Sequence, residues 1–439
     1  MSTPAERAAI TAGHIEADSA LAAALAKVRR NLLPFLFVLY IIAYMDRINV
    51  GFASLQMNRD AGLSDAVFGL GAGLFFVGYF IFEIPSNLIL ARVGARVWIA
   101  RIMITWGMVA IAMMFVRGAA SFYTLRFLLG AAEAGFFPGV ILYLSWWFPE
   151  REQARAIALF MTATAIAGIV VGPVSGALLM MHGVFGIKGW QWLFAMEGVP
   201  AILMGIAVVF WLPDGPDDAR WLSMDERREL SDTLAAERAA RARQTHHSLG
   251  AGLSDWRVWL LAAIYFGMVM GFYGVSLWLP QIVKGMNPGG DFTIGVISAI
   301  PSLAAALCMV QVGRLSDRTG ERRLIVALAL FAGASGLLLS ALTRNPIVEL
   351  AAIALSSAGI SSALGPFWAI PNVFLGGAAA AGGIALINSL GNLGGFAGPT
   401  LMGYMKQATG TFAGGLGALS FALAAAGALA LLLPRSRPA

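Results

Sequence analysis

Hydrophobic residues run along this chain in blocks of about twenty, cut by glycine, proline and short charged segments. A helix of that length crosses a hydrocarbon core about 30 Å thick at 1.5 Å of rise per residue. The pattern predicts twelve spans: 32–54, 66–90, 97–116, 121–147, 155–181, 191–212, 255–283, 291–313, 323–343, 347–372, 380–404 and 411–434. One long polar stretch divides them six and six. The expected fold class is therefore an all-α integral membrane protein of twelve transmembrane helices. It comprises a tail (1–31), a six-helix bundle (32–212), a linker (213–254), a second bundle (255–434) and a short tail (435–439). In the linker, Ser223 followed by Glu226 is a capping-box pattern opening a charged helix, read as a solvated surface helix joining the halves.

The two halves are related. LARVGARVW (90–98) corresponds to GRLSDRTGERRL (313–324), and GPVSG (172–176) to GPTLMG (398–403). Gly94 and Gly320 share one offset, 226, with Pro173 and Pro399. A duplicated six-helix unit of this kind places a site near the midplane between the halves. The glycines of GPVSG and of GNLGGFAGP (391–399) permit close helix approach, and the prolines loosen the backbone ladder.

Composition sharpens the class. The chain is 59% hydrophobic and 12% charged, about half the charge of ordinary soluble domains. The net charge of +6 follows topology. Of thirty Lys and Arg, twenty-two fall in segments on one side of the predicted membrane and six on the other, with Arg47 and Arg126 inside spans. That bias puts both termini in the cytoplasm and removes the nucleic-acid reading. The first thirty residues read as a cytoplasmic tail, with no cleavable signal peptide. A single cysteine, Cys308, makes no internal disulfide, and His14, His182, His246 and His247 lack ligand spacing within a span. No metal motif, nucleophile elbow or phosphate loop suggests an enzyme.

Charges inside spans are the candidate chemistry, because each costs roughly 2.5–3.5 kcal/mol on insertion scales. Span 1 carries Asp46 and Arg47, and span 4 carries Arg126 and Glu133. Arg126 and Glu133, seven apart, share a helix face, whereas Asp46 and Arg47 point about 100° apart. Rise per residue puts Asp46 and Arg126 at a common depth and Glu133 nearer the middle. The expectation is that Asp46 pairs with Arg126, leaving Arg47 for a ligand and Glu133 as a buried carboxylate. Burial and a nearby guanidinium act on its proton in opposite senses, so moving the Arg would make it a proton relay. The alternative is a static ion-pair network holding span 1 to span 4. Glu83 and Glu197 are read as structural partners of loop arginines or helix ends. The second half instead offers neutral groups: Tyr265, Tyr273, Trp368, Asn372, Asn388 and Asn392. A cavity cationic and titratable on one side, and hydrogen-bonding on the other, suits a small organic anion.

The loop GRLSDRTGERR matches the Gly-x-Leu-x-Asp-Arg-x-Gly-x-Arg-Arg signature of the major facilitator superfamily, with Ala91 replacing the Asp in the first-half copy. Tyr-x-Asp-Arg-x-Asn (44–49), Arg-x6-Glu (126–133), GFFPG (135–139) and the Asn run of span 11 resemble the anion:cation symporter family within it. The resemblance covers about 30–434. It implies a major facilitator fold and proton-coupled uptake of tartrate, phthalate, hydroxyphenylacetate, hexuronates or sugar acids in a bacterial inner membrane. The loop pattern is nearest the tartrate-like permeases, and span 7 lacks the core basic residue of some relatives with dianionic substrates. By resemblance Asp46 and Glu133 take protons, Arg47 holds the substrate carboxylate, and Arg126 pairs with an acid. Tyr79, Gln281, Trp368 and Asn392 are further cavity residues. Gly313, Asp317, Arg318, Gly320, Arg322 and Arg323 form a conformational gate. The expected partners are a small organic anion and the bilayer, for a monomer without cofactors beyond the coupling proton. An exchanger or exporter on the same fold, and a membrane sensor that does not transport, are the competing readings.

Overall fold

A computed structural model describes residues 4–244, 255–287, 289–371 and 377–433. The described residues contain helices and no strand. In the first half these are α1 (Pro4–Asp60), α2 (Asp65–Val93), α3 (Ala95–Ala112), α4 (Ala119–Glu133), α5 (Phe136–Ser145), α6 (Glu150–Leu179) and α7 (Gly189–Trp211). The linker holds α8 (Met224–Gln244). The second half has α9 (Trp256–Ser276), α10 (Leu279–Gly285), α11 (Asp291–Thr319), α12 (Arg322–Leu342), α13 (Pro346–Ala369), α14 (Gly377–Asn392), α15 (Gly394–Thr409) and α16 (Ala413–Ala430). Eleven helices, with α4 and α5 taken together, are long and apolar enough to cross a membrane. The span expected over 380–404 is split at Leu393 into α14 and α15, each too short alone.

Three expected spans are broken, and the breaks fall beside the candidate residues. Span 4 stops at Glu133 and restarts at Phe136, because Gly135 adopts φ 85°, left-handed backbone that L side chains avoid. A Cβ there would also strike the Ser86 hydroxyl. Span 7 breaks at Leu277–Trp278 and span 11 at Leu393. The break at Leu277–Trp278 follows a helix already long enough to cross, whereas those at Gly135 and Leu393 interrupt their spans, as discontinuous helices do at carrier binding sites.

The linker helix departs from the solvated expectation. Leu230 and Leu234 are buried, as are Ala24, Leu25 and Val28 of α1, and α8 packs on α1. The capping box forms, with the Ser223 N–H donating to Glu226 (2.8 Å). Glu226 also accepts from Lys27 (2.8 Å), and Glu237 accepts from the backbone N–H of Glu150 at the start of α6 (3.1 Å). Helix α1 therefore runs unbroken through residue 31, where a tail was expected to end, and its early turns are the platform for α8.

The halves meet most extensively where α2 packs on α15, α6 on α11, and α1 on α10. Their closest approaches lie at the end of the molecule opposite α8. In a bilayer, small residues let helices close without a hydrophobic driving force. A Cβ on Gly172 would strike the Gly295 carbonyl oxygen, and the reverse holds for Gly295; GPVSG is thus a packing surface between the halves. Polar contacts seal the same end. Lys406 bonds Asp65 (2.9 Å) and Gln281 (2.6 Å), Gln281 donates to Ser54 (2.8 Å), and Gln56 donates to Asp291 (2.6 Å). Leu303, Leu307 and Val310 of α11 continue one exposed face with Phe292, Val296 and Ile300 along the helix, as a lipid-facing stripe does.

Candidate functional site

The site forms where α1, α2 and α4 of one half face α9 and α14 of the other. Arg47 Nη2 is ion-paired to Glu133 Oε1, and Nε donates to the same oxygen (3.1 Å). Its Nη1 donates to the Tyr273 hydroxyl (3.2 Å) in the second half. The guanidinium carbon lies 5.2 Å from the Tyr79 ring centroid and 5.5 Å from Phe75, within cation–π range. Phe76 packs on Tyr273 at 4.4 Å. Arg47 and Tyr273 are 226 residues apart, so the repeat brings equivalent positions of its two copies into contact.

The expected Asp46–Arg126 pair is not formed. Asp46 turns into the first bundle, accepting from Trp106 Nε1 (2.6 Å) and Asn49 Nδ2 (3.2 Å). Asn49 also donates to Glu197 (2.8 Å), which accepts from Ser175 (3.0 Å). Arg126 donates to the Ala72 carbonyl (3.3 Å) and lies 5.0 Å from the Phe75 ring. Its Nε and Nη1 are buried without a hydrogen-bond partner. Arg47, expected to be free for a ligand, is instead the partner of Glu133. The cause is azimuth: adjacent residues on α1 face different helices, and only Arg47 faces α4 at the level of Glu133.

Two carboxylates read as structural partners have other neighbours. Glu83 meets no loop arginine among the described residues. It accepts from Asn388 across the interface (3.0 Å). Glu197 belongs to the Asp46 network. Trp106 and Asn49 were missed; Asn49, three residues after Asp46 and so on its face, was the available signal. GFFPG also acquires a role, since Gly135 breaks the helix and Phe137 packs on Tyr40 at 5.5 Å.

On the second half, Tyr265 stacks on Phe367 (5.4 Å) with Trp368 edge-on (4.9 Å). Asn392, at the end of α14, is partly buried and makes no hydrogen bond within the described residues. Asn372 lies outside the described residues. Gln281 is not gathered with Arg47, being engaged by Ser54 and Lys406 in the closed end. Among the gate residues, Gly320 ends α11 at φ 68°, Arg322 caps the Ala369 carbonyl (3.0 Å), and Arg323 caps Leu433 (2.9 Å) and Leu431 (3.2 Å). Asp317 and Arg318 are exposed, and nothing lies within 4 Å of a Cβ built on Gly313. In the first-half copy, where Ala91 replaces the Asp, Asp214 supplies a carboxylate from beyond α7. It accepts from the Arg96 backbone N–H (2.9 Å) and pairs with its guanidinium (3.3 Å).

Residues 36–399 match the Major Facilitator Superfamily. The chain belongs to that superfamily. It is 50% identical over 414 residues to an Agrobacterium vitis protein named "Putative tartrate transporter", covering 94% of this chain and 92% of that one. It is 44% identical over 393 residues to an Acinetobacter baumannii "Quinolone resistance transporter", covering 90% and 91%. A bacterial homologue of the human lysosomal transporter Spinster, solved in an inward-facing and occupied conformation, shares its fold. The TM-score is 0.76 at 17% identity, over 92% of this chain and 96% of that one. The superfamily member described here is thus a multi-pass secondary transporter and not an enzyme.

Proposed function

We propose that the chain takes up a small organic carboxylate together with protons by alternating access. The observation that carries the reading is the double engagement of Arg47, ion-paired to Glu133 within one half and bonded to Tyr273 of the other. A substrate carboxylate entering here competes with Glu133 for the guanidinium, since each offers a carboxylate oxygen to the same fork of donors. Glu133, fully buried, would then be left without its cation, an unpaired charge too costly to keep. It accepts a proton as the substrate binds. When the proton leaves on the far side, Glu133 returns to Arg47 and expels the substrate. Coupling thus follows from competition for one cation. The carboxylate bound at Arg47 and Tyr273 is felt by both halves, which rock about it. Asp46, the second protonation site, is the chain neighbour of Arg47, so movement of Arg47 is transmitted to the Trp106–Asn49–Glu197 network. Arg126, with two nitrogens unsatisfied, is placed to receive a carboxylate released in the other conformation.

The end bearing α8 faces the cytoplasm of a bacterial inner membrane, a reading supported by the distribution of Lys and Arg, and the sealing contacts at the opposite end support an inward-facing conformation. Proteoliposomes with an imposed pH gradient test the reading. L-tartrate should accumulate against its own gradient, and a protonophore should abolish this. Glu133→Gln should end accumulation while sparing exchange against preloaded anion. Normal pH-driven accumulation by that variant would remove Glu133 from the coupling. The relative named for quinolone resistance favours a second reading, export on the same frame, which predicts net movement in the opposite direction under the same gradient.

A further inference from the structure

Glu83 is the buried carboxylate that the coupling scheme leaves unused. It is 5% exposed. Oε1 accepts from Asn388 of the opposite half, while Oε2 is buried and has no partner. No Lys, Arg or His pairs with it among the described residues. Glu83 stands four residues beyond Tyr79 on α2, on the same face and roughly 6 Å further along the axis. The Tyr79 ring in turn lies against the Arg47 guanidinium. An acceptor oxygen therefore waits about one helical turn from the cation, on the side towards the end that bears α8.

We propose that Glu83 is a specificity-determining residue that accepts a hydrogen bond from a substrate hydroxyl, with Asn388 holding it in place. The proposal rests on the carboxylate reading of Arg47 and deepens it. The preferred substrate has a carboxylate at one end and a hydroxyl about two or three carbons away: a hydroxy acid rather than a plain aliphatic acid. A buried acceptor without a donor is costly, and a donor reaching Oε2 relieves that cost only when the substrate carries one. A carboxyl group keeps acceptor capacity for such a hydroxyl whether or not it holds a proton. Because Asn388 belongs to the other half, occupancy at Glu83 also bears on the contact between the halves.

The test compares L-tartrate, malate and succinate, which keep the four-carbon skeleton and lose one hydroxyl at each step. Affinities are measured on the purified full chain by titration calorimetry. Wild type should favour tartrate over succinate by roughly tenfold to hundredfold. Glu83→Met, close in volume but without an acceptor, should bring that ratio near one. Glu83→Gln, which keeps a neutral acceptor, should give an intermediate ratio and serves if the Met variant does not fold. Asn388→Ala, which removes the group that positions Glu83 but leaves the carboxyl intact, should lower the ratio less than Glu83→Met does; a ratio lowered as far as in Glu83→Met would overturn the acceptor role. If the Glu83 variants weaken tartrate and succinate equally, Glu83 is only a contact between the halves and the proposal fails. Loss of both ligands in Arg47→Ala, with the ratio unchanged in the Glu83 variants, leaves the carboxylate reading standing and overturns this one. If none of the three acids binds wild type, both readings fall.

Discussion

Replacing Arg47 with Ala strands Glu133. The Glu133 side chain is 0% exposed and that of Arg47 12%, so water offers the abandoned carboxylate little compensation. Removing one member of a buried ion pair costs roughly 3–5 kcal/mol, because the remaining charge has lost the partner that offset its desolvation. Unfolding entropy of about 2.1 cal/mol/K per residue amounts to roughly 0.9 kcal/mol/K over 439 residues. The melting temperature of Arg47→Ala should therefore fall by about 3–5 °C, followed by tryptophan fluorescence of the purified chain. The double variant Arg47→Ala/Glu133→Gln removes the stranded charge and should recover more than half of the loss. The contrast between single and double variants isolates the pair from the ring contacts of Arg47 with Tyr79 and Phe75, which both variants lack. A single variant as stable as wild type would refute the reasoning, as would a double variant no more stable than the single one. Glu133 would then not depend on Arg47, and competition for that cation could not couple substrate to proton.

The closed end and the linker give two further tests. The Lys406–Asp65 pair joins the halves with side chains 19% and 32% exposed, so solvent screening limits it to about 1 kcal/mol. Lys406→Met should shift the equilibrium towards opening at that end about fivefold, read as faster alkylation of a cysteine placed at Thr400 in a Cys308→Ser background; an unchanged rate refutes this. On α8, the hydrogen bond from Lys27, followed by that from the Ser223 backbone N–H, holds the Glu226 carboxyl below the usual carboxylate range. A group depressed on folding stabilises docking above its unfolded value, near pH 4.3, and loses that contribution as pH falls through its folded value. Protection of the α8 amides, corrected for the intrinsic pH dependence of exchange, should fall below about pH 4, and Glu226→Gln should remove that fall; an equal fall in the variant would refute it.

Much of this protein is legible one residue at a time. The number of apolar blocks, the polar linker between them and the loop signature depend on composition and spacing, which folding does not alter. The confinement of spanning charges to the first half is equally a property of the chain. The depth estimate set Glu133 nearer the middle than Asp46, and so than its neighbour Arg47, whose long side chain nevertheless reaches it. What rise per residue cannot supply is rotation. Asp46 and Arg126 were expected to pair because they share a level, yet Asp46 faces Trp106 on α3 and Arg47 faces Glu133 on α4. The helix breaks were equally hidden: Gly135 lies in an apolar run like many other glycines, and neither its left-handed backbone nor the close approach of Ser86 of α2 can be read from that run.

The sequence alone therefore determined the membrane class, the two-fold repeat and the identities of the buried charges, because hydrophobic length and charge cost are local quantities. The tertiary structure alone decided which charge meets which: Arg47 with Glu133 and Tyr273, Asp46 with Trp106, Glu83 with Asn388. Each of these contacts depends on how helices turn about their own axes once packed. That rotation is chosen by the neighbours a helix buries itself against, many of them distant in the chain.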